Sequence, residues 1–400
     1  MNRKLFFAIC CFAILACIAV GLGGATDVST VNADVVKGIN PSSLLMDYAS
    51  GSVIHELNAS QRRPIASMVK IMTLLRTYES VASGKVSLED DVTVSQRAAD
   101  MGGSQAFLDA GSVHKLKNLI KTIIVASAND SCVAVAEHIS GSVENFVDSM
   151  NKRAGELGLK DTNFVNCTGL PATNQYSCAK DVAVMMRTLI STESNYFEYS
   201  KIWMEDFVHP GGRVTGLTNT NKLIRFYQGC DGGKTGYTNE AKHCLCATAK
   251  RGDTRLIAVV VGAPDSKTRF KETSDLLNYG FGNYESKVML SRDGLEDMQI
   301  KSGVKETLKI APAEQLALFG KKGETNGELV VELDSVKAPV KVGDAVGRAL
   351  IVAPDGTVLA KTDIVALEDI ENQSYFDTVR DILRPVSYTH LRAHETEADL

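Results

Sequence analysis

Between residues 40 and 57 the chain runs Ser43-Leu44-Leu45-Met46-Asp47-Tyr48, then Ala49-Ser50-Gly51, then Ser52-Val53-Ile54-His55-Glu56-Leu57. That pattern predicts two strands around a turn. Past Pro64 a helical segment is expected, and apolar residues recur at helical spacing over 115–139, 143–157 and 179–190. Residues 243–250 and 255–262 alternate or run apolar on either side of Arg251-Gly252-Asp253, which reads as a hairpin turn and not as an adhesion motif. From about Glu285 the pattern changes again. Short β-like segments, Glu328 to Leu333 and Ala345 to Val352 among them, are punctuated by turns such as Lys321-Lys322-Gly323-Glu324 and Pro354-Asp355-Gly356. They predict a separate, non-catalytic β domain over residues 284–372.

The two ends differ from the middle. Arg3-Lys4, an apolar run from Leu5 to about Leu22, and the small residues Gly23-Gly24-Ala25 have the layout of a secretory signal over residues 1–25, with cleavage after Ala25. The apolar run approaches the length that spans a bilayer, so a retained anchor is the alternative. Residues 373–385 begin an amphipathic helix with Phe376, Val379, Ile382 and Leu383 on one face. Residues 386–400 resemble translated sequencing-adapter DNA, so His390 and His394, although spaced i, i+4, are not read as a metal site.

With 400 residues, 44% hydrophobic and 23% charged, the chain can build two or more domains with real cores. A net charge of −5, with no local basic patch, argues against a nucleic-acid partner. Removal of the signal would take three of the nine cysteines. The remaining six, Cys132, Cys167, Cys178, Cys230, Cys244 and Cys246, contain no Cys-x-x-Cys pair, so neither a disulfide scaffold nor a zinc site is expected. Cys244 and Cys246 alternate along a predicted strand and should share one packed face.

The chemistry gathers in three motifs. Ser67-Met68-Val69-Lys70 places a hydroxyl and an amine at i, i+3 near a helix N-terminus, where a lysine of depressed pKa can take the serine's proton. The same spacing recurs at Ser112, Ser149, Ser177 and Ser302, so by itself it selects nothing. Ser127-Ala128-Asn129 follows the apolar helix Leu119 to Ala126 and can present a second hydroxyl and an amide. Lys234-Thr235-Gly236 occurs once and precedes a predicted strand; it offers a cation, a hydroxyl and a residue small enough to let a substrate backbone lie close. In this order the three motifs form the set used by penicillin-binding proteins and class A β-lactamases.

Residues 30–370 resemble the low-molecular-mass penicillin-binding proteins of the S11 D-Ala-D-Ala carboxypeptidase family. The likeness extends through Pro64 to Lys70, Ser127 to Asp130, Asn166-Cys167-Thr168-Gly169-Leu170-Pro171, Ser177 to Asp181 and Gly232 to Thr238. The resemblance implies an α+β fold: a β-lactamase/transpeptidase-like catalytic domain over residues 26–283, with a five-stranded antiparallel sheet flanked by helices, followed by a small all-β domain. It also implies the roles. Ser67 is the nucleophile, Lys70 its base and Ser127 the relay to the leaving amine. Asn129, Lys234, Thr235, Gly236 and Tyr237 bind substrate, with the backbone N–H groups of Ser67 and Tyr237 as oxyanion hole. The expected substrate is a peptidoglycan stem peptide ending in D-Ala-D-Ala, with β-lactams as covalent inhibitors and no metal or cofactor. An exported enzyme in peripheral contact with the outer face of the cytoplasmic membrane is expected. The alternatives are a class A-like β-lactamase, against which stands the absence of any Glu in residues 158–176, and a non-catalytic penicillin-binding sensor of the same fold.

Overall fold

The computed structural model describes residues 40–192 and 195–374. The signal segment over residues 1–25, the amphipathic stripe from Phe376 onward and the terminal string over 386–400 lie outside the described residues.

A five-stranded antiparallel sheet organises the first part of the chain. Its strands are β1 (Ser42–Asp47), β2 (Val53–Leu57), β3 (Cys230–Thr238), β4 (Lys242–Arg251) and β5 (Thr254–Ala263), in the order β2-β1-β5-β4-β3. Strand alternation divides the apolar residues between two cores. Leu44, Met46, Cys244, Cys246, Ile257, Val259 and Val261 face the larger one. Leu45, Leu245, Ala247, Leu256, Ala258 and Val260 face the smaller one. With both faces covered, β5 has no polar face, which is why it reads as a continuous apolar run. Cys244 and Cys246 do share one packed face, and the six cysteines of the described residues are buried free thiols.

The larger core is roofed by helices α1 (Lys70–Ala82), α2 (Leu116–Val125), α3 (Asn129–Ser140), α4 (Val143–Glu156) and α5 (Ala179–Ser191). On the other face the main cover is helix α6 (Ser266–Asn283), through Leu276, Leu277 and Phe281, with Leu223 packing beside it. Two breaks in the helical layer position the motif serines. The helix expected from Pro64 onward starts later: Arg63 still pairs with Ser177, Ala66 takes a positive φ of 48°, and a 3₁₀ turn over Ala66–Val69 leads into α1. The apolar periodicity over 115–139 is carried by two helices, α2 and α3, and Ser127, at a φ of 63°, sits in the break between them.

From Tyr284 to the last described residue the regular structure is all β. Tyr284–Leu290 pairs with Leu316–Lys321, and a four-stranded sheet of Ile310–Pro312, Val358–Ala366, Ala345–Val352 and Glu328–Leu333 closes on its own core of Leu308, Ile310, Val346, Ile351 and Ile364. The molecule is thus α+β, a helix-flanked antiparallel sheet followed by an all-β unit. No helix among the described residues is long and apolar enough to cross a membrane.

Candidate active site

Ser67 lies in the 3₁₀ turn, one residue after the strained Ala66, and Lys70 opens α1. The turn brings the Lys70 Nζ to 3.0 Å from the Ser67 Oγ. Lys70 is fully buried, and its remaining contacts are the Asn129 Oδ1 at 2.7 Å and the backbone carbonyl of Thr168 at 2.6 Å. The nearest acid in sequence to the second motif, Asp130, is engaged elsewhere, accepting the backbone N–H groups of Ala106 and Leu108. Burial therefore pulls the Lys70 pKa below the ordinary lysine value, with no direct carboxylate contact among the described residues to oppose it. In its neutral form Lys70 has two N–H bonds and one lone pair. The Asn129 and Thr168 oxygens can only accept, so they take the two N–H bonds and leave the lone pair facing the Ser67 hydroxyl.

A second lysine sits beside the first. Lys234 on β3 is buried and donates to the Ser127 Oγ at 2.8 Å and to its neighbour's carbonyl, that of Thr235, at 3.2 Å. Its pKa is held well below the usual value, first by burial and then by the charge of Lys70 and, further off, Arg269. Ser127 is thus tied to one amine while Ser67 is tied to the other, and two buried cationic sites share one small volume.

Strand β3 is an edge of the sheet whose first part is held by Ser200, on the Asp231 carbonyl, and by Tyr196, on Gly233, so it is the stretch from Lys234 onward that can pair with an extended chain. A Cβ on Gly236 would lie 2.6 Å from the Ile65 carbonyl and 3.1 Å from the Ser67 nitrogen, so only glycine lets this strand run directly against the nucleophile's turn. Thr235 is buried next to Lys234, whereas Tyr237 is exposed, donating its hydroxyl to Asn239 and laying its ring against His243 at 4.4 Å. All eight sequence-predicted residues therefore belong to one neighbourhood or to the strand that borders it. The Asn129 oxygen is on Lys70 and its Nδ2 donates to the Gly102 carbonyl at 2.7 Å, so both ends of the amide have protein partners.

Several members of the site carry no motif of their own. The Thr168 carbonyl is a backbone group, and its segment lies within the family-like stretch Asn166 to Pro171, to which sequence reasoning assigns no role. Gly169, at a φ of +85°, passes beneath Ala66 so closely that a Cβ would fall 2.1 Å from the Ala66 oxygen. Arg269, on α6, reaches under the strand and donates to the Gly236 and Cys244 carbonyls at 3.2 Å each. Burial pushes its pKa down to about 10. Nothing local in sequence marks it. Among the described residues, no group of His, Cys, Asp and Glu could hold a metal ion.

Known proteins share this arrangement of domains. Residues 29–265 match the family model described as D-alanyl-D-alanine carboxypeptidase, and residues 284–372 match that of the penicillin-binding protein 5 C-terminal domain. The chain is 40% identical over 339 residues to the D-alanyl-D-alanine carboxypeptidase DacF of Bacillus subtilis, covering 84% of this chain and 86% of that protein. It is 32% identical over 352 residues to DacC of Escherichia coli, covering 85% and 86%. Among solved structures, penicillin-binding protein 5 from Haemophilus influenzae superposes with a TM-score of 0.65 at 31% identity, over 86% of this chain and all of that one.

Proposed function

The chain belongs to the D-alanyl-D-alanine carboxypeptidase family, and from that premise we propose the residue roles by which it releases the terminal D-alanine of a stem peptide. It is a serine-type hydrolase that works through an acyl-enzyme and is penicillin-binding. Ser67 attacks the carbonyl between the last two D-alanines while Lys70 takes its proton. The C–N bond then breaks, Ser127 passes a proton to the departing amine, and D-alanine leaves. Water hydrolyses the ester left on Ser67. The substrate's terminal carboxylate goes to Lys234 and Thr235, and the tetrahedral oxygen to the backbone N–H groups of Ser67 and Tyr237.

The observation that carries this reading is Lys70. Its amine is fully buried, has no carboxylate within bonding distance among the described residues, and has acceptors for two of its hydrogens, with the Ser67 hydroxyl as the third contact. An ordinary structural lysine would be exposed or paired. Two measurements test it together: covalent labelling by a fluorescent penicillin, and release of free D-alanine from a diacetylated lysyl-D-Ala-D-Ala peptide. Labelling without release would favour a sensor, and release without labelling would move the nucleophile away from Ser67.

Export through the segment 1–25, and attachment to the outer face of the cytoplasmic membrane by a helix beginning with Phe376, Val379, Ile382 and Leu383, complete the reading. They are supported by sequence pattern. Partition of the native gene product into anionic liposomes, against a chain ending at residue 372, tests the second part.

A further inference from the structure

We propose that Asn166 is a positioning residue for the general base: it fixes the Thr168 carbonyl that, together with Asn129, aims the Lys70 lone pair at Ser67. The inference rests on the assignment of Lys70 as base. Its observation is a hub. The single Asn166 Oδ1 accepts the Thr168 N–H at 3.1 Å, the Thr168 hydroxyl at 3.1 Å and the Gly169 N–H at 2.8 Å. Its Nδ2 donates to the Leu170 carbonyl at 2.9 Å, closing the segment on itself. Gln175 holds the hub from outside, accepting the Asn166 N–H at 2.9 Å and donating to Leu170 at 2.9 Å.

This folded segment is pinned to the catalytic helix at two adjacent carbonyls. Thr73, one turn along α1 from Lys70, donates its hydroxyl to the Cys167 carbonyl at 2.7 Å, and Lys70 donates to the Thr168 carbonyl. Gly169 then lies against Ala66, on the other side of the nucleophile. A peptide carbonyl has no side chain to set its direction, so its aim is decided by what holds the peptide groups around it. Here, on the side away from α1, the peptide groups on either side of the Thr168 carbonyl are both held by Asn166, with Gln175 behind it. Without Asn166 the segment can rotate the Thr168 oxygen off Lys70, and the amine then has one acceptor where it needs two. Misplacement on the order of 1 Å in a reacting group costs up to about 10²-fold in rate.

The test is stopped-flow acylation by a chromogenic penicillin, resolved into the limiting acylation rate and the dissociation constant that precedes it, across pH. Asn166→Ala should lower the limiting rate about 10- to 100-fold and leave the dissociation constant within about twofold, because Lys234 and Thr235 are untouched. Its acid limb should move to lower pH, since the ammonium form loses an acceptor. Asn166→Asp, which keeps the accepting oxygen, should recover most of the rate. A wild-type limiting rate and acid limb in Asn166→Ala would overturn the proposal, as would an equal loss in rate and binding that Asn166→Asp does not repair. If Asn166→Ala does not fold, Asn166→Asp decides: a limiting rate within about tenfold of wild type supports the hub, a greater loss refutes it. Lys70→Ala separates this from the reading beneath it. Labelling that survives in Lys70→Ala dismisses the base itself, whereas labelling lost there but unaffected by Asn166→Ala dismisses only the positioning role.

Discussion

Two lysines buried side by side are an expense that the fold carries for its chemistry. Both have folded-state pKa values lowered by burial. Between the lowered value and the unfolded value near 10.5, the unfolded chain binds more protons, so stability rises with pH across that window and falls as pH drops through it. Lys234→Met should therefore raise the urea midpoint, most at low pH and less as pH approaches 10.5, while weakening recognition of the substrate carboxylate. A midpoint that falls in this variant would mean the amine contributes to the fold. Acylation should follow the other amine, rising with pH as Lys70 loses its proton at a value below that of a free lysine. Ser67→Ala should abolish both labelling and D-alanine release, a loss on the order of 10³-fold or more, read by gel fluorescence and amino-acid assay. The residues with covalent neighbours of fixed type, Ser67 with Lys70 and Lys234 with Thr235, are legible in the sequence because a few bonds hold them together. Arg269 is not, and although Asn166 and Asp130 fall inside the family-like stretches, their roles are not legible there. Their partners are backbone groups brought near by tertiary folding, and a backbone carbonyl leaves no mark on a sequence.

At the scale of elements, alternation along the strands carries most of the information. The hairpin around Arg251-Gly252-Asp253 and the shared face of Cys244 and Cys246 follow from period-two patterning, and both are present. The catalytic helix starts later than its local sequence suggests, for a physical reason: Pro64 favours a helix start locally, but Ala66 is held in a left-handed conformation by Gly169 on one side and Gly236 on the other. The same wedge gives a prediction. Gly236→Ala must push β3 off the nucleophile's turn, because its Cβ would overlap the Ile65 oxygen. Penicillin acylation should drop by about 10²-fold, with a folded circular-dichroism spectrum. An unchanged acylation rate would show that strand and turn need not touch.

At the scale of the whole molecule, the β unit is tied to the first sheet far from the chemistry. Ser286 donates to Asp47 and its N–H to the Thr254 hydroxyl, and Tyr284 and Phe319 pack on the smaller core. Asp47 lies on β1, three strands across from β3, roughly 14 Å at the spacing of paired strands. A chain ending at residue 283 should keep penicillin labelling while losing several degrees of Tm, since Tyr284 leaves the smaller core. Loss of labelling in that chain, with its circular dichroism intact, would make the β unit part of the site. The open edge of β3 has one more consequence. The Tyr196 hydroxyl already holds Gly233, but the backbone groups left unpaired beyond it do not distinguish a stem peptide from any other extended strand, including one from a neighbouring molecule, and the usual guards against such self-association are a proline or a bulky charge on the rim. Here those guards would obstruct the approach to Ser67. The enzyme must tolerate some stickiness at high concentration, and efforts to make it more soluble should leave that rim alone.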